Sequence, residues 1–206
     1  MSDYIHREHA APAGRPLLVL LHGTGGDENQ FFELGRQLMP EAGLLSPRGD
    51  VSEGGAARFF RRRAEGNYDM ADLARATAKM AGFVRRAAER TGASRMVGLG
   101  YSNGANILAS VLLDEPGVFD AAVLMHPLIP FEPAAVPQLS GKRVLITAGR
   151  RDPICPPVLT ERLAATLTAG GADLALHWHE GGHEIRNEEI AAVERFISDA
   201  AEKAAA

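Results

Sequence analysis

The fold is decided by the stretch Val97-Gly98-Leu99-Gly100-Tyr101-Ser102-Asn103-Gly104-Ala105-Asn106. The largely apolar residues 95–99 predict a short buried strand, and the apolar residues after the serine predict a buried helix. Between them, Gly100 and Gly104 flank Ser102 in the G-x-S-x-G pattern of a nucleophile elbow, a strained turn from a strand into a helix. A side chain at either glycine would collide with a neighbouring element, so the pattern indicates Ser102 as a nucleophile.

Length and charge narrow the class of protein. With 206 residues, we expect a single α/β domain over 1–206, which is large enough to form a core without disulfides or metals. The 22 Lys and Arg residues are outnumbered by 26 Asp and Glu, and only Arg61-Arg62-Arg63 form a basic run, which disfavours nucleic acid. The single cysteine, Cys155, cannot form an internal disulfide, and no leader or membrane-spanning pattern is evident. These features predict a cytoplasmic protein without stable membrane association.

A glycine-rich loop follows the first predicted strand. Residues 16–21 form a continuous apolar run, which is typical of a strand covered on both faces. The sequence His22-Gly23-Thr24-Gly25-Gly26-Asp27 comes next, before a predicted helix over 30–39. Glycines at this density leave backbone N–H groups free to face a ligand, which suggests an oxyanion-hole loop. The alternative is a simple glycine turn in which Asp27 caps the helix.

Residues 47–67 read as a long polar loop after a short strand at 43–46. A loop of this length in a compact domain is usually functional or disordered. Its adjacent aromatic residues, Phe59 and Phe60, are either a pocket wall or hydrophobic anchors that hold the loop to the body. The three arginines that follow most often mean a solvated face.

Strands and helices alternate through the rest of the chain. We expect a helix from Asp69 or Asp72 to Arg90, strands at 119–125, 143–148 and 174–178, and helices at 158–169 and 187–203. Six strands alternating with helices predict a parallel sheet with helices on both faces, joined by right-handed crossovers. His126 comes at the end of a strand, where ligands bind in such sheets, although a packing role is the alternative.

The chemically suggestive residues each follow a strand: Thr24, Ser102, Asp152 and His183. The carboxyl ends of parallel strands converge at one edge of a sheet, so these residues are expected to meet. The chain order of Ser102, Asp152 and His183 is that of α/β-hydrolases rather than of other triad folds.

Six motifs carry a resemblance over nearly the whole chain: 21–27, 46–49, 58–62, 98–104, 149–156 and 181–184. Through them the chain resembles the phospholipase/carboxylesterase family of α/β-hydrolases, especially its bacterial carboxylesterase branch, which is related to acyl-protein thioesterases. The resemblance implies that Ser102, Asp152 and His183 form a triad. It also implies a small hydrolase without a large cap domain, acting on short carboxylic esters. Thr24 departs from the apolar residue common in thioesterase-like relatives, so a preference for long acyl chains does not follow.

The chemistry of ester hydrolysis assigns a role to each of these residues. A serine hydroxyl is a weak nucleophile at neutral pH, so His183 must take its proton while Asp152 orients the imidazole and stabilises its charged form. The backbone N–H groups of Thr24 and Asn103 would bind the oxyanion. This chemistry needs no cofactor and no metal, and its partner is a small-molecule ester.

Other candidates complete the predictions. Phe59, Phe60, Tyr101 and His126 are the candidate substrate-binding residues. An acyl-protein thioesterase or a lysophospholipase-like hydrolase is the alternative function, and a homodimer is left open. Less favoured are a metal site formed by His177, His179 and His183, and a non-catalytic binding protein on the same fold.

Overall fold

The computed structural model describes residues 4–202 of the chain, with side chains for residues 4–198. The elements are, in chain order, β1 (His6–His9), β2 (Leu17–Leu21), α1 (Phe32–Leu38), β3 (Gly43–Pro47), β4 (Val51–Glu53), β5 (Ala56–Arg58), β6 (Arg62–Ala64), β7 (Asn67–Tyr68), α2 (Met70–Thr91), β8 (Met96–Tyr101), α3 (Asn103–Asp114), β9 (Ala121–Met125), β10 (Arg143–Gly149), α4 (Pro157–Ala169), β11 (Asp173–His179) and α5 (Asn187–Glu202).

A seven-stranded sheet carries the fold, in the order β1-β3-β2-β8-β9-β10-β11. Its last six strands run parallel, and β1 pairs antiparallel with β3 at the edge. The expected mainly parallel sheet is therefore confirmed. The edge strand β1 was not predicted, because its sequence His-Arg-Glu-His is mostly exposed and carries no apolar pattern.

Apolar side chains pack on both faces of the sheet. In β2, Leu17, Val19 and Leu21 belong to one buried cluster, whereas Leu18 and Leu20 belong to the other. Helices α2, α3 and α4 contribute to the first cluster, and α1 and α5 contribute to the second. Because both faces of β2 are buried, its five residues read as a continuous apolar run.

Residues 47–67 differ from the predicted irregular loop. They contain most of two small antiparallel hairpins, β4 with β5 and β6 with β7. Their turns contain Gly54, Gly55 and Gly66, all with positive φ. Strands of two or three mostly polar residues carry too little alternation to be recognised in a sequence.

Local capping by a side chain accounts for the start of α2 and not for that of α1. Asp69 is the N-cap of α2, since its carboxylate accepts a hydrogen bond from the backbone N–H of Asp72 at 3.1 Å. Asp27 does not cap α1; it accepts from the N–H of Asn29 at 2.8 Å in a turn before the helix. Among the described helices, none combines the length and apolar character that a membrane crossing requires.

Candidate active site

Ser102 stands on a strained turn between β8 and α3. Its backbone has φ 52° and ψ −115°, in a region that non-glycine residues rarely adopt, and its N–H donates to the carbonyl of Met125 at 2.9 Å. A Cβ added to Gly100 would collide with the carbonyl of Gly104, and a Cβ on Gly104 would collide with that of Leu21. The steric explanation for the two glycines is confirmed, and the turn presents the serine side chain at the sheet edge.

His183 and Asp152 lie in line with the serine. The Nε2 atom of His183 is 2.9 Å from Ser102 Oγ, and its Nδ1 atom is 2.7 Å from Asp152 Oδ2. The loop that carries His183 is held by Tyr101, whose hydroxyl donates to the carbonyl of His183 at 2.7 Å. The ends of β8, β10 and β11 thus bring together three residues that are far apart in the sequence.

Asp152 is buried and fully engaged in hydrogen bonds. Its Oδ1 accepts from the N–H groups of Ile154 at 2.8 Å and Cys155 at 3.0 Å, while Oδ2 faces both His183 and His126. Burial by itself raises the pKa of this carboxyl, but the hydrogen bonds from the two histidines and the backbone outweigh it and hold the pKa well below its usual range. Asp152 is therefore a fixed anion beside His183.

The loop after β2 supplies donors on the other side of the serine. The N–H groups of Gly25 and Gly26 donate to Ala57 and Gly23, and that of Thr24 has no partner among the residues the structure describes. Asn103 is the first residue of α3, where a helix leaves its N–H groups without internal partners. Both residues predicted to form the oxyanion hole thus line the same cavity as Ser102.

The buried His22 fixes the glycine-rich loop. Its Nδ1 lies 2.6 Å from the carbonyl of Gly23, and its Nε2 accepts from the N–H of Gly49 at 2.8 Å. Nδ1 therefore carries the proton. Burial lowers the pKa of His22, which keeps the ring neutral for this pair of contacts.

A cavity of about 200 Å³ opens beside Ser102. Its wall includes Arg58, a buried arginine to which the sequence assigned no role beyond its place in the motif 58–62. One guanidinium nitrogen of Arg58 donates to the hydroxyl of Thr24 at 2.6 Å, and Nε donates to the carbonyl of Phe60 at 3.3 Å. Arg58 thus ties the loop after β2 to the hairpins.

The comparisons with known proteins show the family of the chain. The model of the dienelactone hydrolase family matches residues 16–206. The chain belongs to the dienelactone hydrolase family. Among curated proteins, "Putative hydrolase MhqD" of Bacillus subtilis (strain 168) is 39% identical over 186 residues, covering 89% of this chain and 93% of that one.

Solved structures share the fold of this chain. The protein Atu2452 of unknown function from Agrobacterium tumefaciens str. C58 is 61% identical with a TM-score of 0.92, covering 95% of this chain and 96% of that one. A carboxylesterase of Bacillus cereus is 38% identical with a TM-score of 0.90, covering 94% and 93%. This dienelactone hydrolase family member is a carboxylic ester hydrolase with the α/β-hydrolase fold, as the sequence motifs indicated.

In this family member, Phe59 and Phe60 do not line the cavity, contrary to their candidate role in substrate binding. Both side chains are fully buried. Phe59 packs on the ring of His22, with ring centroids 4.7 Å apart, and Phe60 packs edge-on against Tyr68 at 4.8 Å. They are anchors, because burying both rings holds the two hairpins onto the body. Tyr101, by contrast, does line the cavity.

His126 does not line the cavity either, contrary to its candidate role in substrate binding. Its side chain contacts other groups of the protein instead. Its side chain is fully buried, with Nδ1 at 3.0 Å from Asp152 Oδ2 and Nε2 at 3.0 Å from Glu189 Oε2. Burial by itself lowers the pKa of His126, but the contacts with Asp152 and Glu189 raise the pKa to about 9. Glu189 had no distinguishing mark in the sequence, since it reads as an ordinary acidic residue in the first turn of α5.

The three histidines considered as a metal site in the sequence do not gather in this hydrolase. Within the described side chains, the compact groups with ligand-type atoms are His126 with His179 and Glu189, and His126 with Asp152 and His183. The Nδ1 atom of His179 accepts the N–H of Gly181 at 2.9 Å, so its Nε2, which faces Glu189 at 3.1 Å, carries the proton. A protonated nitrogen has no lone pair for a metal, so the first group is a hydrogen-bonding network.

Proposed function

We propose that this hydrolase is a serine carboxylesterase that cleaves short-chain or aryl carboxylic esters through an acyl-enzyme on Ser102. The observation that carries the proposal is the unbroken chain from Ser102 Oγ to His183 at 2.9 Å and from His183 to Asp152 at 2.7 Å. Such a chain activates a serine hydroxyl, because the proton can pass to the imidazole while the carboxylate stabilises the resulting charge.

The reaction follows from the positions of the groups. Ser102 Oγ attacks the ester carbonyl as His183 Nε2 takes the hydroxyl proton. The negative charge that develops on the carbonyl oxygen is stabilised by the N–H groups of Thr24 and Asn103, each worth roughly 3–4 kcal/mol in such a hole. His183 then returns the proton to the leaving alcohol, and a water molecule repeats the sequence on the acyl-enzyme. Asp152 stays ionised throughout.

The size of the cavity favours small substrates. Its volume of about 200 Å³ is below the roughly 300–1,000 Å³ of common ligand pockets. Binding of an acyl chain gains about 0.8 kcal/mol for each buried CH₂, so affinity stops rising where the cavity ends. The wall is also polar, since Arg58, Arg62, Glu65 and Asn106 contribute to it. A small ester fits these properties better than a lipid. We infer that the enzyme meets this ester in the cytoplasm, the location that the sequence predicts.

Covalent labelling tests the proposal. A fluorophosphonate probe should attach to Ser102, and mass spectrometry of the digested protein locates the adduct. Ser102→Ala should abolish both labelling and ester hydrolysis. Ser110→Ala is the matched control, because Ser110 is a buried serine in α3 whose hydroxyl donates to the carbonyl of Asn106. An adduct at another residue, or full esterase activity in Ser102→Ala, would overturn the assignment.

A further inference from the structure

His126 has the same backbone strain as the nucleophile. Among residues 4–202, the non-glycine residues with positive φ are Ser102 at 52° and His126 at 51°. They follow Tyr101 and Met125, which are paired in the register of β8 and β9, so they occupy equivalent places at the ends of neighbouring strands. Strain of this kind is usually kept where a side chain must point in one direction. The triad does not explain why His126 should be so constrained.

Both ring nitrogens of His126 face carboxylate oxygens. Nδ1 is 3.0 Å from Asp152 Oδ2, and Nε2 is 3.0 Å from Glu189 Oε2. A bare Nδ1 would place its lone pair against Asp152, whereas a bare Nε2 would lie beside the Glu189 anion and would also face His179 Nε2 at 3.4 Å. The ring is also fully buried, so water cannot relieve that repulsion. The imidazolium is the form that balances the buried Glu189 carboxylate, whose Oε2 accepts no hydrogen bond from the described residues, and the raised pKa of His126 agrees with it.

The other groups around His126 do not supply a competing charge. The hydrogen bond from Gly181 to Nδ1 of His179 makes this ring neutral, and its Nε2 lies 3.4 Å from His126 Nε2 and 3.1 Å from Glu189 Oε1. The rings of Tyr101 and His183 lie at 5.9 and 5.1 Å from that of His126, and the thiol of Cys155 donates to the carbonyl of His126. The second carboxylate that His126 meets, beyond Asp152, is thus Glu189, whose side chain is also fully buried.

We propose that Glu189 and His126 form a buried ion pair that positions Asp152 and sets the working basicity of His183. Glu189 keeps His126 protonated, and the Nδ1–H of His126 holds Asp152 Oδ2 at the position from which it also contacts His183. His126 and Glu189 are positioning residues, because neither touches the reacting atoms. This inference rests on the proposed esterase mechanism.

The charge balance explains why the pair matters. With Asp152 and Glu189 ionised and His126 protonated, the buried cluster carries one net negative charge. Protonation of His183 during the reaction brings the cluster to neutrality. Without the charge on His126 the cluster would carry two negative charges, and His183 would hold its proton too strongly to return it to the leaving group.

The substitution His126→Asn tests the charge of His126 while preserving the local backbone conformation. Asparagine tolerates positive φ better than most residues and can still donate from the position of Nδ1. We expect kcat to fall between about tenfold and a hundredfold with little change in KM, because misaligned catalytic groups lose rate rather than binding. The acid limb of kcat/KM should move up by about one pH unit, because a positive charge near the base is removed. His177→Asn, on the same strand as His179, is the control and should leave the limb in place.

Glu189→Gln tests the other half of the pair. Ring ¹⁵N spectra of the wild type at neutral pH should show both nitrogens of His126 protonated. In Glu189→Gln, His126 should lose one proton at a lower pH, and the acid limb should not move up. Glu188→Gln is the control, because Glu188 is the adjacent exposed residue in the same turn of α5.

The outcomes separate this inference from the proposed function. An acid limb that stays in place in His126→Asn, or a wild-type His126 with one bare ring nitrogen at neutral pH, would overturn the ion pair. Stoichiometric zinc on these histidines would overturn it as well. If fluorophosphonate instead labelled a residue other than Ser102, the esterase mechanism would fail, whereas the protonation state of His126 would still be read from its ¹⁵N signals.

Discussion

On one side of Ser102 the groups are ionised and buried, whereas on the other they are backbone donors beside a cavity. His183 is followed inward by Asp152, His126 and Glu189, and the last three have fully buried side chains. The opposite side presents the N–H groups of Thr24 and Asn103, with the guanidinium of Arg58 behind Thr24. On the first side a proton must pass between Ser102 and His183 while the other charges stay in place, so the groups around His183 are held fixed. The second side receives substrate, so it stays accessible.

The comparison between the two sides predicts which substitutions should lower activity most. Every titrating partner on the proton-transfer side contacts another, so removing one charge disturbs all of them. On the oxyanion side the donors belong to the backbone, which a side-chain substitution does not remove. Damage there requires the addition of a charge or a change in the shape of the cavity.

The largest effect should come from Asp152→Asn. The amide cannot stabilise the imidazolium and favours the wrong tautomer of His183, so we expect kcat to fall by about 10⁴. Steady-state kinetics with a p-nitrophenyl ester measure this loss. Asp173→Asn, at the exposed start of β11, is the control and should remain close to wild type. A loss of less than about tenfold in Asp152→Asn would mean that another carboxylate orients His183.

A smaller effect is expected when a charge is added on the oxyanion side. The Oδ1 atom of Asn103 accepts the N–H of Phe59 at 2.8 Å, so Asn103→Asp keeps this acceptor and adds a buried anion. The anion opposes the charge that develops on the substrate, and we expect kcat to fall by about 10². Asn67→Asp, at the exposed first residue of β7, controls for the charge itself. Unchanged kinetics in Asn103→Asp would place the oxyanion elsewhere.

Acyl-chain selectivity should change by about tenfold when the cavity is altered and not when an anchor is altered. Wild-type kcat/KM across acetyl to hexadecanoyl p-nitrophenyl esters should be highest for short chains, because a small cavity buries few CH₂ groups. Ile154→Ala removes part of the cavity wall and should move the maximum to longer chains. Phe60→Leu should leave the maximum in place while lowering stability. A wild-type maximum at decanoyl or longer would contradict the compact cavity.

The positions of the six parallel strands along the chain, and of the candidate triad residues at their ends, could be predicted from the sequence because their signals are local. The continuous apolar run of β2 and the glycines around Ser102 each follow from the conformation of a few neighbouring residues. The placement of Asp152 and His183 at strand ends then follows from the parallel sheet. That reasoning needs no knowledge of which side chains touch.

What the sequence could not give was set by contacts between distant elements. Glu189 looks like any acidic residue in the first turn of a helix, and only the packing of α5 against β10 and β11 brings it to His126. Arg58 looks solvated until the hairpins fold over it. Phe59 and Phe60 could equally have been wall or anchor, because burial of a loop aromatic depends on the surface beneath it.

The smallest effect on activity is expected from the last change, which acts on stability: the proton-transfer side should lose stability at alkaline pH. The pKa of His126 is raised in the folded protein to about 9, above its ordinary value of about 6.5. The protonated ring therefore stabilises the fold fully below about pH 6.5, and this contribution disappears as the pH rises to about 9. Its size is at most about 3 kcal/mol.

Urea unfolding at a series of pH values should show the free energy of unfolding declining across this window in the wild type and in His177→Asn. In His126→Asn the decline should be absent, so the stability difference from wild type should narrow toward pH 9. If the free energy of unfolding still declined in His126→Asn, the alkaline transition would belong to another group. The two sides of Ser102 would then not differ in their response to pH.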